Sequence, residues 1–446
     1  MNQVAEKSDN QEPVRVVEIG VKGLFGLYDH TVKLKDERVT IIHGPNGVGK
    51  TVFLKLVHLF YSFKYENLLK FDFTSLVFFF SNGASVQIKK FFVEDKETND
   101  YVFIFTDNSS EEWSISINGY LVDSKSGLLE KYYKKIINIF DDAKINKPKL
   151  IELSDLEFLS KGKVTNKNKI TMFIAASYFA ALEGYLIKCS FISILRVFSE
   201  LLDDKSNSVT FRLKIGSYPQ DLSDIIKTSL GSYGVFSDHL ERTFAKRLID
   251  ADETIYDKSM IESLFQEINL IKKRYEKIGL LKDFVGFDDI SNLNPTKYSS
   301  IGLYASDIKS KLNILEPLAR KIELFVNITN SKIKNKKIII DKELGFKVID
   351  RNNKELNLVD LSSGEQHLII LIYELLFKVE SNTLLLIDEP ELSMHISWQR
   401  EFVDDLLKII ELNPIDVILA THSPSIINDH SNLMVAFKAD VQQEAA

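Results

Sequence analysis

The chain has 446 residues, 45% of them hydrophobic and 27% charged, so it is long enough for two or three domain-sized units with ordinary soluble composition. A net charge of -7 excludes a uniformly basic nucleic-acid-binding coat, though local basic patches remain compatible with it. A lone cysteine, Cys189, excludes an internal disulfide and reads as a small buried apolar residue.

The N-terminal stretch MNQVAEKSDNQEP lacks the apolar core of a signal peptide. The longest apolar region, near residues 170–198, is interrupted by Glu183, Lys188 and Arg196, so no membrane span is expected and a cytoplasmic protein is. Val39 to Ile42 form a β-branched run suited to a buried parallel strand. Gly44-Pro45-Asn46-Gly47-Val48-Gly49-Lys50-Thr51 then fits G-x-x-x-x-G-K-[ST]. Gly44, Gly47 and Gly49 let the backbone turn and aim its N–H groups at phosphate oxygens. Lys50 is placed to reach β- and γ-phosphates, and Thr51 to offer a hydroxyl to magnesium. The segment after it, VFLKLVHLFYSF, is apolar at helical spacing, so the loop opens a helix whose positive end faces the phosphates. A kinase or GTPase could use the same loop, and the downstream motifs decide against both.

Residues 74–118 alternate in short segments, which predicts an antiparallel meander, with Phe78 to Phe80 in its core. Gln87, in ASVQIKK, is a candidate lid residue or an ordinary strand residue. Residues 150–335 read mainly as helix. One amphipathic helix is marked by Ile261, Leu264, Phe265, Ile268, Ile271, Tyr275 and Ile278. A second is marked by Ile308, Leu312, Leu315, Leu318, Ile322 and Phe325, with GFDDISNLNPTKYSS as the connecting loop. The lysine clusters at 161–169 and 332–337 read as solvated loops, with contact to nucleic-acid phosphates as the alternative.

Leu361-Ser362-Ser363-Gly364-Glu365 precedes an apolar helical run, which places Ser362 and nearby N–H groups at a helix N-terminus. Thr383 to Ile387 then form a continuous apolar strand, and Asp388 and Glu389 follow at its carboxyl end, where open α/β sheets place ligands. Asp388 can hold magnesium through water, and Glu389 can activate an attacking water. Val417 to Thr421 give another apolar strand, followed by His422, which can contact a γ-phosphate.

Taken together, KGLFGLYDHTVKL, the phosphate loop, LSSGEQ, LLLIDEPELSMH and ATHSP resemble the ABC ATPase superfamily, in the branch holding SMC, RecF and OLD-type heads. The resemblance covers residues 14 to about 60 and 335 to about 438. It implies an α/β ABC-type P-loop head, with a mixed central sheet, an antiparallel side sheet and a helical insertion. The expected division is 1–145 for the N-terminal lobe, 146–334 for the insertion with a short helical hairpin, and 335–446 for the C-terminal lobe. The resemblance implies ATP and Mg2+ as ligands, with the phosphate loop, Ser362, Ser363, Gly364 and Glu365 binding nucleotide. It makes Thr51 and Asp388 the metal supports, Glu389 the catalytic base and His422 the switch histidine. Ser363 stands where the family's signature usually has glycine. Arg196, in SFISILRVF, resembles a residue of OLD-type heads. In the family, the loop and signature of one head lie on opposite sides, so one of each implies a head-to-tail homodimer or higher homo-oligomer. The sustained heptads of a long SMC arm are absent.

After the last expected strand only the polar residues 439–446 follow, so no Toprim domain of the OLD-nuclease kind is expected and effector chemistry is expected in another protein. The compact head, with Ser397-Trp398-Gln399 after the acidic motif, is most similar to the ATPase component of PARIS-type anti-phage systems. That implies a switch controlling a separate Toprim-like nuclease, triggered by a phage protein. The alternative is a RecF-like repair ATPase that binds DNA when ATP is bound. An ABC transporter ATPase fits less well, because the helical insertion is large and no glutamine lid is secure.

Overall fold

A computed structural model describes residues 13–62, 65–93, 98–106, 112–116, 188–193, 198–201, 210–250, 256–281 and 294–438. Arg196 and the lysine cluster at 161–169 lie outside the described residues. The chain groups into two units. One takes residues 1–193, 380–391 and 414–446; the other takes 194–379 and 392–413. This grouping differs from the expected three-part division, because the strands after residue 335 pair and pack among the helices that precede them.

In the first unit, a five-stranded sheet runs Met434–Ala436, Val39–His43, Asp416–Thr421, Thr383–Asp388, Lys188–Ser193. Every pairing in it is parallel among the described residues, where a mixed sheet was expected. Parallel strands are covered on both faces, and the sequence obeys: Leu384, Leu385, Leu386 and Ile387 are each 1% exposed or less. The registers put Thr421 opposite His43 and Ala420 opposite Asp388, so three strands end at one level. An antiparallel sheet follows the order Tyr28–Lys33, Val16–Leu24, Ser75–Phe80, Ser85–Val93, Thr98–Thr106, Glu112–Ser116, as the alternating segments predict.

The helix Lys50–Tyr61 joins the two sheets into one core. Its Phe53, Leu54, Val57 and Phe60 are buried with Phe78, Leu386 and Ile418. Phe60 stacks on Phe78 with centroids 4.2 Å apart, so the predicted core role holds for Phe78 and Phe80, while Phe79, on the opposite face of the strand, is 39% exposed. Two polar anchors fix this unit. Asp416, buried at the start of its strand, accepts from Arg15 Nε at 3.1 and 3.0 Å and from Arg15 Nη2 at 2.5 Å. The buried His30 stacks on Phe437 at 3.9 Å and bonds through Nε2 to the Val48 carbonyl at 2.7 Å, which braces the phosphate loop from behind. A carbonyl only accepts, so Nε2 carries the hydrogen.

In the second unit, the helix Lys258–Lys277 buries Ile261, Phe265, Ile268 and Tyr275, the face its periodicity predicts. The second predicted helix is two: Tyr298–Asn313 and Glu316–Lys332. Pro317 lies in the first turn of the latter, where its missing N–H costs nothing, but it could not continue a helix from upstream. Both stretches still present one apolar stripe, which is why they read as one helix. The 33-residue helix Tyr218–Asp250 was not resolved as a separate element from sequence, since its periodicity is diluted by Gly231 and Gly234. Its Arg247 clamps Asp307 with bonds of 2.6 and 2.7 Å. A three-stranded antiparallel sheet, Lys336–Asp341, Gly345–Asp350 and Glu355–Leu356, completes the unit. No described helix is long and apolar enough to cross a membrane.

Two stability measurements follow. Removing Asp416 leaves the Arg15 guanidinium half-buried and unpaired, so Asp416→Ala lowers the unfolding free energy in urea by about 2–4 kcal/mol. Burial holds the His30 imidazole below its ordinary value, so folding favours the neutral ring. Its contribution is therefore complete above the unfolded value near 6.5 and is lost as pH falls through the lower folded value. The stability difference between wild type and His30→Gln shrinks as the pH of the melts is taken from 7.5 toward 5.

Candidate functional site

The phosphate loop is built by the strand Val39–His43 and the helix that begins at Lys50. Gly49, at φ 92°, lies in the left-handed region, and a side chain there would also meet Leu24 at 2.5 Å. A side chain on Gly44 would meet the Phe437 carbonyl at 2.5 Å. The loop can form only with these small residues. Lys50 Nζ donates to the carbonyls of Gly44 at 2.8 Å and Pro45 at 2.9 Å, so in this arrangement it holds the loop closed on itself. Burial pulls the Lys50 ammonium below its ordinary value, against the opposing pull of Glu389, Asp388 and Glu391.

At the same level of the sheet, Thr51 Oγ1 donates to Asp388 Oδ1 at 3.2 Å. Burial raises the Asp388 carboxyl above its usual range, with the Thr51 hydrogen bond opposing and the Glu389 charge adding to the rise. His422 Nδ1 stands 3.4 Å from Lys50 Nζ, and its Nε2 stands 4.0 Å from Glu389 Oε1. Glu389 and His422 side chains are 36% and 31% exposed, which leaves both accessible to a ligand. The fold thus brings together five of the predicted residues: Lys50, Thr51, Asp388, Glu389 and His422. Glu389 itself sits at φ 47°, a left-handed conformation that a glutamate adopts only under constraint.

The hydroxyl of Thr51 and the carboxylate of Asp388 are hard oxygen donors, 3.2 Å apart, which suits a magnesium ion that keeps most of its water. Among the described residues there is no cluster of three or more His, Cys, Asp or Glu that would by itself hold a metal.

In the other unit, Ser362 caps the signature helix Ser363–Tyr373. The cap is reciprocal. Ser362 Oγ accepts from Glu365 N at 3.4 Å, and Glu365 Oε2 accepts from Ser362 N at 3.0 Å and Ser362 Oγ at 2.8 Å. Lys336 Nζ donates to both Glu365 oxygens, at 2.9 and 2.8 Å. Burial pushes the Glu365 carboxyl up, but Lys336 and Ser362 more than offset this and hold it below the usual range. Glu365 is therefore occupied in shaping the turn and takes both donors of Ser362, with Ser363 and Gly364 left to offer hydroxyl and backbone N–H groups.

Three candidates resolve differently. Gln87 lies in the side sheet between Val77 and Ile104, and its amide donates to Ser75 Oγ at 2.7 Å. Within the 332–337 cluster, Lys332 is buried against Glu401 at 2.7 Å and Asp405 at 2.5 Å, and Lys336 holds Glu365. Neither is a solvated loop lysine, as the cluster was expected to supply; of its four lysines only Lys334 and Lys337 are exposed. Sequence reasoning missed His30, Lys336 and Glu391. Glu391 follows Glu389 by two residues, and its Oε1 accepts from Thr421 Oγ1 and His422 N, both at 2.8 Å. An acidic residue just after the DEP triplet was a visible signal; His30 and Lys336 gave none without the fold.

Among curated proteins, the Retron Ec83 probable ATPase of Escherichia coli is 30% identical over 90 residues, 18% of this chain and 16% of that protein's own length. The chain thus matches only a small part of that relative. Among solved structures, the Smc head domain of Pyrococcus furiosus, bound to the C-terminal domain of ScpA, is 11% identical with a TM-score of 0.36, over 95% of this chain and 93% of that one. The SMC head domain of Thermotoga maritima is 11% identical with a TM-score of 0.31, over 93% and 92%. Scores this low leave the assignment to the residues themselves and to the family comparison. The family described as "AAA domain, putative AbiEii toxin, Type IV TA system" matches residues 204–428, just over half of the chain, a span that holds the signature, Asp388, Glu389 and His422. The chain belongs to this AAA_21 family of AAA-domain ATPases.

Proposed function

We propose that the chain binds ATP with magnesium and hydrolyses it as a molecular switch, with Lys50, Thr51, Asp388, Glu389 and His422 in one hydrolytic centre. The observation that carries this is the His422 ring, held between the phosphate-loop lysine at 3.4 Å and the Glu389 carboxylate at 4.0 Å. A γ-phosphate bound by Lys50 would lie within reach of both. Lys50 would exchange the carbonyls of Gly44 and Pro45 for phosphate oxygens, an exchange of neutral acceptors for charged ones. Thr51 and Asp388 would hold the metal, which when bound neutralises phosphate charge. Glu389 would take a proton from the attacking water, and His422 would bond the γ-phosphate and orient that water toward Glu389.

The signature turn supports a second element of this reading. Lys336 neutralises Glu365, so an anion approaching the first turn at Ser363 and Gly364 meets N–H dipoles rather than a bare carboxylate. We assign that turn to the ATP of a second copy, giving a head-to-tail dimer or higher homo-oligomer that ATP closes and hydrolysis opens. The AbiEii-type family match and the retron ATPase similarity support a role in anti-phage defence. There the switch would control a separate effector, a Toprim-like nuclease of the PARIS kind, in response to a phage protein. A RecF-like DNA-binding role has less support, since two of the four lysines at 332–337 are spent on internal ion pairs.

The test is phosphate release by the purified full chain with ATP and magnesium. Lys50→Ala abolishes binding of a fluorescent ATP analogue and turnover together. Glu389→Gln keeps binding and lowers turnover by about 10²–10³-fold, the scale of losing a group that acts in the transition state. Turnover by Glu389→Gln at the wild-type rate, or no phosphate release by the wild type, overturns the proposal. In light scattering, Glu389→Gln with ATP gains mass to a dimer or larger, and Ser362→Arg prevents it. In cells carrying the complete defence system, both Lys50→Ala and Glu389→Gln lose protection against phage, and plaque counts that stay low for either contradict the switch.

A further inference from the structure

Glu391 has no place in the hydrolytic centre as drawn, yet its carboxylate reaches into it. The chain leaves the strand Thr383–Asp388, turns at Glu389 with φ 47°, and enters a short 3₁₀ turn, Pro390–Ser393. The parallel ladder ends at Asp388 opposite Ala420. Past that point two further bonds tie the strand ends. Glu389 N donates to the Ala420 carbonyl at 2.9 Å. Glu391 Oε1 accepts from Thr421 Oγ1 and from His422 N, each at 2.8 Å. One carboxylate oxygen thus holds the backbone of His422 and the side chain that precedes it, and Thr421 is wholly buried.

The consequence concerns the distance between Glu389 and His422. These residues sit on separate strand ends, and no described hydrogen bond joins their side chains; His422 Nε2 and Glu389 Oε1 are 4.0 Å apart. What fixes their separation is the loop of covalent and hydrogen bonds from Glu389 through Pro390 to Glu391 and across to His422. Pro390 stiffens the middle of that loop by fixing its φ. Glu391 also adds negative charge near Lys50 and Asp388.

We propose that Glu391 is a positioning residue that sets the Glu389–His422 geometry for ATP hydrolysis, acting through the His422 backbone and Thr421 rather than on the nucleotide. This rests on the hydrolytic roles given above to Glu389 and His422. Its hydrogen-bonding oxygen does the positioning, so glutamine substitutes for it and alanine does not.

The test uses the purified full chain and a steady-state turnover series with ATP and magnesium, with thermal melts to confirm folding. His422→Ala is measured first. If it turns over at the wild-type rate, the reading of the centre fails and the positioning role fails with it. If it is slow, Glu391→Ala is expected to lower kcat by about 10–100-fold, the cost of a misplacement near 1 Å, while affinity for the fluorescent ATP analogue stays within twofold. Glu391→Gln recovers most of kcat. In the double variant with His422→Ala, the second change costs little more than the first, because both act on one group. Where Glu391→Ala does not fold, Thr421→Val removes the donor to Glu391, together with the acceptor of Ser423 N at 2.9 Å, at nearly unchanged shape, and is expected to lower kcat severalfold at unchanged ATP affinity. Wild-type kcat in Glu391→Ala or Thr421→Val overturns the proposal while leaving the centre intact, as does full additivity with His422→Ala. Failure of Glu391→Gln to recover kcat also overturns it, since charge rather than position would then be the cause.

Discussion

The registered ending of three parallel strands is the constraint on which the rest of the first unit depends. His43 lies opposite Thr421, and Ala420 opposite Asp388, so the phosphate loop, the acidic pair and His422 all emerge at one level. Parallel strands are held where both faces are covered, and the apolar runs around Ile41, Leu386 and Leu419 supply that burial. A slip of two residues along one ladder would move its site residue by roughly 7 Å and separate Lys50 from His422. The bonds beyond the ladder, from Glu389 N and Glu391 Oε1, extend the same registration into the loops. In an open α/β sheet the chemistry sits where the backbone runs out of sheet, and here the backbone is stitched at that edge.

The second unit solves a different electrostatic problem. A turn that carries its own glutamate at a helix N-terminus, proposed above to meet an anion, needs that charge removed from play. The reciprocal cap with Ser362 directs the Glu365 carboxylate back on the turn, and Lys336 compensates it. Lys332 is likewise committed, to Glu401 and Asp405 on the helix Ile396–Leu412. These lysines look from sequence like a basic patch. Their partners lie 29 to 73 residues away in the chain, so only the fold reveals that they are internal.

That contrast marks what the sequence made legible. The phosphate loop, Asp388, Glu389 and His422 were readable because their chemistry demands residue types at fixed local spacing. The side sheet was readable from alternation, and the helix Lys258–Lys277 from its 3.6-residue stripe. The break near Ile314 was masked because the apolar stripe runs through it, although Pro317 marked it. His30 was invisible because its partners, the Val48 carbonyl and the Phe437 ring, lie 18 and 407 residues away in the chain. Gln87 was a candidate by type alone, and its amide is spent on Ser75. Membership of the AAA_21 family agrees with the motif order and leaves the trigger, the effector and the assembly to experiment.

The central claim, that the ends of these strands form one centre around a γ-phosphate, is tested most directly by determining the structure of the Glu389→Gln chain with ATP and magnesium bound. The account predicts the γ-phosphate against Lys50 Nζ and the His422 ring, with the metal beside Thr51 and Asp388. A nucleotide bound with its phosphates away from Lys50, or a His422 ring turned from the γ-phosphate in every copy, would contradict it.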